Sequence, residues 1–180
     1  MCGCSSRRSF LANAIMLAPA LVMPRLASGA LAEPRRLKFF HTHTSEKLDV
    51  VYSENGSYVA DALDEINHLL RDFRSGHVHP IDPGLLDILH GLRQATGNNQ
   101  RFEIISAFRS PVTNEMLRRN GGGGVAQRSL HMEGMAIDIR LPGTQLAKLR
   151  DAALAMRRGG VGFYPGDNFI HVDTGRPRSW

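Results

Sequence analysis

Asp138 stands between Ile137 and Ile139 in a short strand-like run from Met135 to Arg140. Period-two alternation buries at least one face of such a run, and an unpaired carboxylate there costs on the order of several kcal/mol. The fold must therefore supply Asp138 with a cation. Arg140, another arginine or a metal ion would serve equally well on these residues alone. His171 repeats the pattern in Phe169-Ile170-His171-Val172-Asp173, a single imidazole among apolar neighbours. Taken by itself it reads as a core histidine with a hydrogen-bond partner. Two such strands side by side read differently. As antiparallel neighbours they would bring Asp138 and His171 together with His131, which lies just upstream across the turn that Gly134 permits. Two imidazoles and one carboxylate with a fourth position left for water are a catalytic zinc pattern.

The rest of the chain predicts the frame around those strands. Arg36 to Thr42 and Lys47 to Ser53 read as strands, followed by the turn residues Asn55-Gly56. Ala62, Leu63, Ile66, Leu69, Leu70 and Phe73 fall on one face of a helix starting near Val59, with Ser57 as its cap. Asp82-Pro83 opens a second helix that Gly97 ends. Phe102 to Ala107 is a core strand, Ser110-Pro111 starts a short helix through Arg119, and Gln145 to Arg157 repeats at helical spacing. Val161 to Tyr164 and Phe169 to Val172 form a closing strand pair. Helices early and strands late predict an α+β domain with a small central antiparallel sheet flanked by helices, rather than a doubly wound parallel one.

Residues 1–32 read as a secretory leader: Arg7-Arg8 precede the apolar stretch Leu11 to Met23, and Ala30-Leu31-Ala32 is a small-residue cleavage site. Ser-Arg-Arg-Ser-Phe-Leu resembles a twin-arginine signal, which predicts export to the periplasm. The apolar run is short for a span and is broken by Pro19 and Pro24, so no stable membrane span is expected after processing. Residues 33–180 would then be one domain. Of the 22 Lys and Arg, Arg7, Arg8 and Arg25 lie in the leader and no acid does, leaving 19 bases against 17 acids. A net charge near +2 removes the basis for a nucleic-acid partner. Cys2 and Cys4 also fall in the leader, which excludes disulfides and thiolate metal sites from the mature chain.

The string Ser129-Leu130-His131-Met132-Glu133-Gly134-Met135-Ala136-Ile137-Asp138, with a later strand histidine, resembles the Ser-x-His-x-x-Gly-x-Ala-x-Asp signature of the LAS zinc peptidases. Within that superfamily the chain is most similar to the murein endopeptidase K (YcbK-like) branch. Leu37 to Glu46, Ser106 to Ser110, Ser129 to Arg140 and His171 through Trp180 carry that likeness over nearly the whole mature chain. The resemblance implies the LAS/hedgehog-type fold and one Zn2+ per chain on His131, Asp138 and His171. It also implies a peptidoglycan cross-bridge peptide as substrate, and Arg109 as the group that polarises the scissile carbonyl. A monomer is expected.

The chain departs from the family where many relatives carry a Glu or His shortly before the last ligand. Asn168 and Phe169 stand there and neither takes a proton. Asp173, two residues beyond His171 on the same strand face, is the candidate base, with the orienting of an imidazole as its other reading. Glu133 is a weaker candidate. His41 and His43 alternate on one strand and could line the cleft; His68, His77, His79 and His90 read as structural or surface residues. Three other functions stand beside murein endopeptidase: a D,D-carboxypeptidase, a peptidoglycan-binding module without catalysis, and a ferrous oxygenase suggested by His171-Val172-Asp173. The last would need a distant downstream histidine, and only seven residues follow Asp173.

Overall fold

The computed structural model describes residues 1–2, 33–120 and 126–180. The predicted leader, Cys4 and the Gly121 to Gly124 run lie outside the described residues, apart from Met1 and Cys2. In chain order the elements are β1 (Arg35–His41), β2 (Lys47–Glu54), β3 (Ser57–Tyr58), α1 (Ala60–Leu69), α2 (Pro83–Thr96), β4 (Phe102–Ser106) and α3 (Pro111–Asn120). A single 3-10 turn, Leu130–Glu133, precedes β5 (Ala136–Arg140). Then come α4 (Leu146–Met156), β6 (Gly160–Tyr164), β7 (Phe169–Asp173) and β8 (Arg178–Ser179). No helix among the described residues is long and apolar enough to cross a membrane.

The α+β class holds, but the sheet is not small. Eight strands run in the order β3-β2-β1-β4-β5-β7-β6-β8, antiparallel except for the β1/β4 and β6/β8 pairs. Alternate residues of the central strands, among them Phe102, Ile104, Ile137, Ile139, Ile170 and Val172, enter one core with Leu85, Leu86, Leu89 and Leu92 of α2. Leu149 and Ala153 of α4 join the same core.

Local chemistry explains most boundaries. The Asp82 side chain accepts from Gly84 N–H at 2.8 Å, Pro83 occupies the first helical turn and Gly97 closes α2 at φ +65°. Ser110 starts α3 by accepting from Thr113 N–H at 3.2 Å. Two expectations change. Ser57 does not cap α1: it pairs in β3, and Val59 takes the cap position with no side-chain bond. The helix also stops at Leu69, so Phe73 lies past its end, where Asp72 Oδ1 accepts from Arg74 N–H and turns the chain.

One rung of the sheet positions everything that follows. Ser106 of β4 pairs with Asp138 of β5, Asp138 with His171 of β7, and His171 with Gly162 of β6. Between Ile104 and Ser106 two residues of β4 oppose one of β5, a bulge that lets Ile104 stay with Ile139 while Ser106 comes level with Asp138.

Candidate active site

His131 reaches that rung from the 3-10 turn. Ser129 caps the turn by accepting from His131 N–H at 3.4 Å, and Gly134 ends it at φ +67°. A side chain at Gly134 would also meet the Pro80 carbonyl oxygen at 2.2 Å. Glycine is thus required twice over, by backbone conformation and by close approach. The motif residues Ser129 and Gly134 accordingly build the turn that presents His131.

His131 Nε2, His171 Nδ1 and Asp138 Oδ1 converge at 3.2, 3.3 and 2.9 Å from one another. The far nitrogen of each ring is committed. His131 Nδ1 faces the Ala107 carbonyl oxygen at 2.6 Å and must donate to it, while His171 Nε2 faces Asp173 Oδ2 at 3.0 Å. Arg109 donates to His131 Nε2 from 3.2 Å, which likewise requires a lone pair on that nitrogen. Two imidazole lone pairs and a carboxylate oxygen therefore point at one spot, an arrangement that repels itself unless a cation or proton sits among them. Ligand atoms on a tetrahedral ion with bonds of about 2.0–2.1 Å stand roughly 3.3–3.4 Å apart, close to what is observed. By donor chemistry and spacing, the residues fit a zinc ion.

Burial sharpens the electrostatics, since His131, Asp138 and His171 are all under one-tenth exposed. Burial disfavours a charged Asp138, but His131 and His171 outweigh it and hold the carboxyl well below the usual range. His131 is lowered, chiefly by burial. Burial also opposes charge on His171, yet the hydrogen bonds to Asp138 and Asp173 raise it overall. The balance thus favours a neutral His131 beside an ionised Asp138.

Arg109 follows β4 directly. It donates from Nε to Ser106 Oγ at 2.9 Å and from the guanidinium to Asp138 Oδ2 at 2.7 Å. Its backbone N–H reaches the His131 carbonyl at 3.1 Å. Asp138 is thus paired with Arg109, whereas Arg140 pairs with Glu103. Asp72, absent from the sequence reading, anchors the adjoining residue by accepting from Ser110 N–H at 2.9 Å.

Asp173 is fully buried. Oδ1 accepts from Gly160 N–H, Gly175 N–H and Arg178 at 2.9, 2.9 and 3.0 Å, and Oδ2 from Arg178 at 2.7 Å and His171 at 3.0 Å. Burial raises its pKa, but His171, Arg178 and the two backbone donors more than reverse this. Glu133 is exposed. His41 is buried at the end of β1, and His43 stacks on Phe73 with ring centroids 4.2 Å apart.

A cleft of about 400 Å³ opens over the three converging atoms. Arg109 and Arg128 line it, as do Tyr164 and Trp180, with Asp167 the remaining carboxylate beside Asp138 among its described lining residues. Sequence reasoning did not single out Arg128, Tyr164 or Asp167. For Tyr164 the available signal was Gly162, an isolated glycine inside a strand, which marks a close approach by another group; Arg128 and Asp167 carried none.

Residues 29–180 match the model of the M15 peptidase family described as peptidoglycan L,D-endopeptidase MepK. The chain belongs to this family. Peptidoglycan L,D-endopeptidase MepK of Escherichia coli strain K12 is 38% identical over 178 residues, spanning 98% of this chain and 97% of that protein. Probable peptidoglycan L,D-endopeptidase MepK of Haemophilus influenzae is 40% identical over 156 residues, or 86% and 83% of the two chains. Membership in this M15 family agrees with the resemblance carried by Ser129 to Asp138, and all of the geometry above lies within the matched span.

Proposed function

We propose that this chain is a zinc-dependent endopeptidase that hydrolyses peptide cross-links of peptidoglycan in the periplasm. The convergence of His131 Nε2, Asp138 Oδ1 and His171 Nδ1 beneath an open cleft carries the proposal. The names of the E. coli and H. influenzae relatives support an L,D-linked cross-bridge as substrate. The Ser-Arg-Arg-Ser-Phe-Leu leader supports export by the twin-arginine route, which leaves residues 33–180 as the working domain.

His131, Asp138 and His171 would hold a zinc ion, which would supply Lewis acidity and lower the pKa of a bound water toward neutral. The protein's own groups do the rest. Ala107 and Asp173 fix which nitrogen of each imidazole carries the lone pair. Arg109, held by Ser106 and Asp138, keeps its guanidinium at the cleft edge, where it can stabilise negative charge developing on the carbonyl oxygen. Asp173 is a positioning residue in this reading: its five hydrogen bonds and complete burial support the orienting role over proton acceptance.

The test is incubation of purified full chain, with one equivalent of zinc, with a muropeptide dimer cross-linked between two diaminopimelate residues, products read by mass spectrometry. Conversion of dimers to monomers is expected, with loss of activity in His131→Ala. Release of the terminal D-Ala from a pentapeptide muropeptide supplied alongside, with the dimer left intact, would instead establish the D,D-carboxypeptidase. Zinc bound at one per chain without any cleavage would establish the binding module.

A further inference from the structure

Gly162 stands beside His171 on the functional rung, and the space above it is taken by two rings. A Cβ built on Gly162 would lie 2.8 Å from Cε2 of both Trp180 and Tyr164, well inside the ~3.5–4.0 Å at which carbon atoms rest against each other. The missing side chain therefore makes room for an aromatic pair next to a metal ligand. Trp180 is held from several sides. Its N–H donates to the Val161 carbonyl at 3.3 Å, its carbonyl accepts from Phe163 N–H at 3.1 Å, and Arg178 lies over the indole 4.9 Å from its centroid. The His171 ring is 5.2 Å away. Yet Trp180 remains 51% exposed, and it lines the cleft.

The indole Nε1–H donates to the Tyr164 hydroxyl oxygen at 2.7 Å, while the Tyr164 ring stacks on Phe169 at 4.6 Å. With one lone pair taken and its ring clamped, the hydroxyl has its own hydrogen to give. Among the described residues nothing accepts it, and Tyr164 too lines the cleft.

We propose that Trp180 and Tyr164 form the substrate-contacting wall of the cleft, with Trp180 aiming the Tyr164 hydroxyl so that it donates to a carbonyl or carboxylate oxygen of the bound peptide. Tyr164 is the contacting residue, and the indole N–H positions it. An ordered aromatic pair loses little conformational freedom when a ligand arrives, which is why such a pair suits a recognition surface. The inference rests on the peptidase reading given above and names the wall that its substrate meets.

Trp180 is the sole tryptophan of the chain, so intrinsic fluorescence reports on this wall alone. Metal-free full-length protein is titrated with the diaminopimelate-linked dimer, and kcat and KM are measured separately on the zinc-loaded protein. Saturating dimer should quench or shift the emission. Tyr164→Phe keeps the ring but not the hydroxyl, and should weaken dimer binding and raise KM roughly 5–10-fold, the scale of one lost hydrogen bond. Zinc content and melting temperature should stay at wild-type levels. Trp180→Phe should raise KM as well, and the double variant should fall short of the product of the two single effects because both act through one hydroxyl. Wild-type protein that cleaves the dimer while its emission and the Tyr164→Phe constants stay unchanged overturns the inference and leaves the peptidase reading standing. Zinc-loaded wild-type protein that does not cleave the dimer overturns the peptidase reading, and the proposed role of the wall with it.

Discussion

His171 Nε2 lies 3.0 Å from Asp173 Oδ2, two residues apart on one strand, so a single element supplies both a candidate metal ligand and the group that sets its tautomer. Asp173→Asn would still fill the space, but it offers a weaker acceptor to His171 and leaves Arg178 without its counter-charge. Zinc affinity should fall about 10–100-fold, the usual cost of losing a partner behind a metal-bound imidazole. Hydrolysis should return when zinc is raised to saturation. An activity that stays absent at full zinc occupancy would make Asp173 the proton acceptor after all; restored activity places that role elsewhere in the cleft, where Asp167 is the remaining described carboxylate besides Asp138.

Arg109 answers two demands at once, neutralising the buried Asp138 and facing the cleft. Lysine keeps the charge but cannot bond Ser106 and Asp138 simultaneously from a rigid fork. For Arg109→Lys the expected loss is about 10²–10³-fold in kcat, the range seen when a preorganised oxyanion donor is removed. KM should change little and the circular dichroism spectrum should not change. A kcat within threefold of wild type would restrict Arg109 to a structural ion pair.

Gly134→Ala tests how the turn delivers His131. Alanine meets a disfavoured backbone at φ +67° and a Pro80 oxygen 2.2 Å away. The cost should reach about 2 kcal/mol or more, since strain and overlap act together. Thermal unfolding should shift down by roughly 5 °C or more for a domain of this size. An unshifted transition would mean that the 71–82 segment yields freely to the new methyl group.

The element pattern was legible because it rests on local chemistry. Asp82-Pro83 and Gly97 bracket α2 as their sequence suggests, and Gly134 takes the turn that its position requires. The pairing of Asp138 with His171 was legible too, since a lone polar residue in each of two apolar strands calls for a shared partner. What stayed hidden depends on residues far apart in the chain. Whether Asp173 faced solvent or five donors was decided by Gly160, Gly175 and Arg178, none of which period-two alternation could place. The sheet grew beyond expectation because β3 and β8 are two residues each, too short to show periodicity. Ser106 reached the rung only through a bulge in β4, which its residues did not announce.

His41 gives a prediction in pH. It is 1% exposed, and its Nδ1 accepts from the backbone N–H groups of His43 and Thr44 at 3.3 Å each, contacts that only the neutral ring can make. Burial, aided by the nearby His43, pushes its pKa from the ordinary 6.5 down to about 4. Between those values the unfolded chain binds a proton that the folded chain refuses, so stability rises with pH across this interval. On acidification the loss should begin near pH 6.5 and end near pH 4, amounting to on the order of 2–3 kcal/mol. His41→Gln retains a side-chain acceptor but carries no titration. Whatever its stability at pH 7, it should lose less than wild type on going from pH 7 to pH 4.5, as measured by urea unfolding at both values. Equal losses in the two proteins would show that His41 accommodates a proton in the folded state, and that its ring does not depend on accepting from the turn.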